Sequence, residues 1–186
     1  MEHLLLLCIV LLIVGLAFLV YHWPQGHSKT FSQHAAAQSV TMYYYAGLFV
    51  MILPLLALFF YDYFIPKYQL SSFFASSIFL AVAGQLVAVI IPESGGWRSR
   101  LHRHAAGWSA LGLFLSVGSI MYELPLSFPL YLFGSITLLV MLACSSLTFK
   151  STLSRKQFEH RYFLWLQIIY YALFFGMILL VTYVHS

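Results

Sequence analysis

The chain has 186 residues, 62% of them hydrophobic and 8% charged, with a formal net charge of +4. A water-soluble domain carries roughly 45–50% apolar and 25% charged residues, so lipid must be the solvent for much of this surface. The length is that of one domain, residues 1–186. Five carboxylates and the complete absence of asparagine exclude N-glycosylation sequons and leave few oxygen ligands for a metal.

Six apolar runs are long enough to cross a hydrocarbon core, which takes about 20 helical residues. They span 4–22, 39–61, 69–91, 104–122, 127–149 and 160–183. The fold class they predict is all-α, a polytopic six-helix membrane bundle. The first run resembles a signal peptide in length, but its flank "MEH" is acidic where a signal needs positive charge, so it is read as a retained span. Pro24, Pro66, Pro92 and Pro125 stand at four of the boundaries, as helix breakers should. Pro54 lies inside the second run and is expected to kink it. Cys8 and Cys144 each sit within an apolar run and read as packing residues near opposite membrane faces, too far apart to bond.

Orientation follows from the basic residues. Lys29, Arg98, Arg100, Arg103, Lys150, Arg155, Lys156 and Arg161 fall in the first, third and fifth connections, and only Lys67 in the second. Such a split predicts that these odd-numbered connections face the cytoplasm, with both termini outside. A bacterial inner membrane is the expected location. Tyr21, Trp23, Tyr43, Tyr61, Tyr63, Tyr68, Tyr122 and Tyr162 gather at the span ends as an aromatic belt would.

Small residues predict which helices touch. Ser77, Ala81, Gly84 and Ala88 line one face of the third run, and Ser109, Gly112, Ser116 and Ser119 one face of the fourth. Apolar helices in lipid associate through such close-packing ridges, so the two are expected to meet.

Polar residues gather at the cytoplasmic end. Gln85, Ser109, Ser145 and Gln167 lie inside spans on that side, and Gln38, Ser39, Thr41 and Tyr43 to Tyr45 begin the second run there. An unpaired amide in hydrocarbon is costly, so these groups predict a polar pocket lined by Gln85, His104, Ser109 and Gln167. Simple interhelical hydrogen bonding is the competing explanation. Arg98, Arg100 and Arg103 form the expected rim, suited to anionic headgroups. Membrane lipids and a small amphiphile are the expected partners; nucleic acid is not.

Six of the eight histidines, His22, His27, His34, His102, His104 and His160, share that side. A metal-dependent membrane hydrolase using His102, His104, His160 and Glu159, with Glu93 nearby, is the first alternative. It lacks an H-E-x-x-H motif. A haem-binding electron carrier is the second, and no histidine lies deep in a span as paired axial ligands require. The cofactor therefore stays open.

The order "TFSQHA" at 30–35, "AGQLVAVIIPESGG" at 83–96 and "LHRHAAGWSAL" at 101–111 resembles the bacterial and archaeal six-helix membrane proteins grouped as domain of unknown function 998. The resemblance covers nearly the whole chain and matches Ser32, Pro92 and His104 to the family's recurring residues. The chain departs from the family where an acidic residue often follows that serine. The resemblance implies six helices and supplies no reaction.

Overall fold

A computed structural model describes residues 1–24, 29–91, 96–154 and 162–185, with the side chains of 149–154 excepted. Helices make up its elements: α1 (Glu2–His22), α2 (Phe31–Ala35), α3 (Ser39–Phe59), a π-helical turn (Phe60–Phe64), α4 (Ile65–Tyr68), α5 (Ser72–Ile90), α6 (Gly96–Glu123), α7 (Phe128–Ser154) and α8 (Phe163–Val184). Among the described residues there is no strand. Six segments are long and apolar enough to cross a membrane, with α3, the π turn and α4 acting as one span, Ser39–Tyr68. The chain is an all-α, multi-pass membrane protein.

Two boundaries differ most from the sequence reading. Pro66 does not end the second span, which runs on to Tyr68. Proline has no N–H and its ring crowds the carbonyl one turn back, and the backbone widens into the π turn at Phe60–Phe64 just ahead of it. The span closes at Gln69, whose left-handed backbone (φ 50°) lets the Leu70 amide donate to the Ile65 carbonyl at 3.1 Å. The fourth span starts at Gly96 rather than 104, so "WRSRLHRH" forms helical turns and not a loop.

The small-residue ridges of α5 and α6 do meet, and this is the most extensive helix pair. All eight ridge residues are buried. A Cβ placed on Gly84 would lie 2.7 Å from both the Ala105 carbonyl oxygen and the Ser109 nitrogen. One on Gly112 would lie 2.5 Å from the Ser77 oxygen and 2.6 Å from the Ala81 nitrogen. Glycine here is a packing requirement, because backbone meets backbone.

Elsewhere tyrosine hydroxyls tie helices by donating to backbone carbonyls: Tyr44 to Gly15 at 3.1 Å, Tyr61 to Ala75 at 2.7 Å, Tyr68 to Val181 at 2.8 Å and Tyr170 to Ala110 at 2.6 Å. Tyr61 and Tyr68 are thus structural ties, whereas Tyr21, Tyr43, Tyr122 and Tyr162 stay exposed at span ends. The π turn feeds Phe60 and Phe64 into an aromatic core with Phe59, Phe74 and Phe174. Both cysteines are buried and free.

The two ends of the bundle have different chemistry. At one end Glu2 receives hydrogen bonds from Tyr63 and, at 3.1 Å, from Lys67. Glu123 there accepts from the Ser71 amide at 2.6 Å and the Ser71 hydroxyl at 2.8 Å, capping α5 from a neighbouring helix. At the other end lie the termini of α1, α5 and α7, the starts of α3, α6 and α8, and the short helix α2, together with Lys29, Arg98, Arg100 and Arg103. This is the basic end.

Candidate functional site

The polar interior of the basic end is built around Gln85, one and a half turns from the end of α5 and buried. Its amide oxygen accepts from the Ser109 hydroxyl at 3.4 Å and from the Tyr171 hydroxyl at 3.2 Å. The buried Tyr45 hydroxyl stands beside the same amide. One glutamine thus gathers side chains from α3, α6 and α8.

Gln167 lies one turn before Tyr171 on the same face of α8. Its side-chain oxygen accepts from the Phe31 amide at 3.0 Å, holding the start of α2. The sequence inside the first connection explains why α2 forms. Thr30 and Gln33 make a reciprocal capping box: the Gln33 amide donates to Thr30 Oγ1 at 3.2 Å and the Thr30 amide to Gln33 Oε1 at 3.1 Å. Ser32 joins it, with its hydroxyl 2.9 Å from that of Thr30. Thr41 then ties α2 to α3 by donating to the Ala35 carbonyl at 2.7 Å.

His34 is enclosed by this arrangement, with 0% of its surface exposed. Its Nδ1 lies 2.9 Å from the Thr30 carbonyl oxygen. A carbonyl only accepts, so Nδ1 carries a proton, and in the neutral ring Nε2 is then an acceptor. That Nε2 is buried and has no hydrogen-bond partner among the described residues. Among the described residues Thr137 Oγ1, near the middle of α7, is the other buried polar side-chain atom left without one.

The expected site residues separate into distinct groups. Gln85 and Ser109 come together, and Gln167 serves α2. His104 does not line the interior: it is exposed, while His102, two residues earlier, is buried. Residues two apart point to opposite sides of a helix. His102 Nδ1 meets the Ile91 carbonyl at 2.8 Å, closing the end of α5. His102 and His104 therefore do not converge on one ion. His160, Glu159 and Glu93 lie outside the described residues, as does Pro92. Among the described residues no three His, Cys, Asp or Glu side chains come close enough to hold a metal. Arg98, Arg100 and Arg103 are exposed, and Arg100 and Arg103 lie on the side of α6 away from Ser109. Arg98 stacks at 5.8 Å from the Trp97 ring.

Sequence reasoning placed His34 and Tyr45 at this end without assigning them to the pocket, and it did not single out Tyr171. The T-x-x-Q spacing at 30–33 was the available signal, since a capping box starts a helix and places His34 one turn below Thr30.

No family model matches this chain, and neither a curated protein nor a solved structure does.

Proposed function

We propose that this chain binds the head of a lipid or other amphiphile in the polar interior of its basic end. That end faces the cytoplasm of a bacterial inner membrane and both termini lie outside. The observation carrying the reading is His34 Nε2. A buried acceptor without a partner costs about 1–3 kcal/mol, whereas the side-chain oxygens of Gln85, Gln167, Thr41 and Tyr171 each make a hydrogen bond. A hydroxyl or N–H of a bound head would satisfy it, with the apolar tail left among the helices. The basic residues at this end, Lys29, Arg98, Arg100 and Arg103 among them, support a cytoplasmic placement. Kinship with the domain of unknown function 998 family is part of the same proposal and rests on the motifs at 30–35, 83–96 and 101–111.

The test is extraction of lipid from protein purified in mild detergent, followed by mass spectrometry. The expected result is a retained amphiphile bearing a hydroxyl or amine, depleted in His34→Phe while helix content is unchanged. A wild-type protein that retains only bulk membrane lipids, in bulk proportions, sinks the reading.

A further inference from the structure

The first turns of α6 carry a second arrangement, on the face turned away from the bundle. Ser99, His102, Ala105, Ser109 and Gly112 are the buried stripe of this helix. Trp97, Leu101, His104, Trp108 and Leu111 are all exposed and recur at intervals of four and three residues, so they form one outer stripe. Arg100, Arg103 and Gly107 run beside it as a parallel row, again three and four apart, that leads to Leu111. A Cβ on Gly107 would meet nothing within 4 Å, so the row contains an open notch one turn beyond Arg103.

Among the described residues the charges on this face have no counterpart. Among the described residues the one ion pair is Lys67 with Glu2, at the opposite end. Tryptophan favours the level of the headgroups, and Trp97 and Trp108 bracket the arginines from either side. The guanidinium presents a planar fork of donors that fits phosphate oxygens two at a time. A second copy of this chain is disfavoured as the occupant, because pairing through this face would set arginine against arginine.

We propose that this outer face of α6 is a binding site for an anionic phospholipid of the surrounding bilayer. The phosphate sits between Arg100 and Arg103, and one acyl chain crosses the Gly107 notch against Leu111 and Trp108. The site is separate from the interior one, since Gln85 and Ser109 lie behind the opposite face of the helix, and it stands without it.

The experiment uses the full chain with Trp23→Phe and Trp165→Phe, which leaves Trp97 and Trp108 as reporters, in phosphatidylcholine vesicles. Lipid with brominated chains is added as either phosphatidylglycerol or phosphatidylcholine, and tryptophan quenching is followed. Brominated phosphatidylglycerol is expected to quench at a membrane fraction on the order of 25-fold lower, and each of Arg100→Gln and Arg103→Gln to remove about fivefold of that preference. Gly107→Phe fills the notch from a Cβ position with nothing within 4 Å, and it should weaken the preference while the circular dichroism spectrum stays the same. Gln85→Leu should leave the preference intact. Equal quenching by the two lipids overturns the proposal. So does a preference that survives both arginine changes and Gly107→Phe, or one abolished by Gln85→Leu. Protection of Trp108 from both lipids, accompanied by cross-linked dimers, overturns it in favour of a second copy.

Discussion

Gly84 and Ser109 sit backbone against backbone: a methyl group on Gly84 would stand 2.7 Å from the Ser109 nitrogen and 3.1 Å from its Cα. Neither neighbour is the end of a flexible side chain, so only a shift of the whole helix makes room. Gly84→Ala and Gly112→Ala are each expected to lower stability by roughly 1–3 kcal/mol, the usual cost of overpacking. Gly15→Ala should cost less, because its 2.6 Å neighbours are the movable methyl carbons of Leu48. Gly118→Ala, with nothing within 4 Å, is the control. Unfolding in detergent by heat or by sodium dodecyl sulfate ranks the four.

Gln85 and Tyr171 are joined by a single hydrogen bond at 3.2 Å. Interhelical bonds of this kind in membranes average about 0.6 kcal/mol, because the dissociated helices also find partners. A double-mutant cycle with Gln85→Leu and Tyr171→Phe should return a coupling near that value. A coupling several times larger would show that the Gln85 amide acts as the hub of a cooperative network, which Ser109 and Tyr45 are placed to join.

Thr30 and Gln167 together hold α2, one by capping it and the other by accepting from Phe31. Thr30→Ala is expected to cost about 1 kcal/mol, the ordinary value of an N-cap. That corresponds to roughly fivefold faster hydrogen exchange at residues 33 and 34. Gln167→Leu should raise exchange at the Phe31 amide and leave the middle of α8 unchanged. If neither variant alters exchange in α2, packing of Phe31 and Ala35 holds it instead.

The proposed orientation is checked with an impermeant thiol reagent on intact cells. The native cysteines are both buried, so introduced ones report alone. Tyr122→Cys, at a site 92% exposed, should be labelled from outside, and Arg98→Cys only after the membrane is opened. The reverse pattern inverts the topology.

Much of the architecture was legible in the chain because the bilayer imposes a simple rule on it. Apolar runs of about 20 residues must span as helices, since no other backbone satisfies its own polar groups in lipid. The ridge of Ser77, Ala81, Gly84 and Ala88 was readable for a similar reason: small residues at three- and four-residue intervals have one use on a lipid-exposed helix pair. The pocket residues were harder. Gln85 and Ser109 could be placed at one depth by counting turns, and their meeting follows from the ridge contact. His104 was assigned inward and His102 was not singled out for the interior. The apolar pattern around "RLHRHAAG" is too sparse to set which side of the helix faces the bundle, and the packing of Ser99 and Ala105 decides it.

The sequence by itself determined that this is a six-span membrane protein whose basic residues collect at one end, because hydrophobic length and charge act residue by residue. Tertiary structure alone decided which polar groups would be matched. Hydrogen bonding depends on the partner across the helix interface, and only packing brings Tyr171 to Gln85, Gln167 to Phe31, and nothing to His34 Nε2.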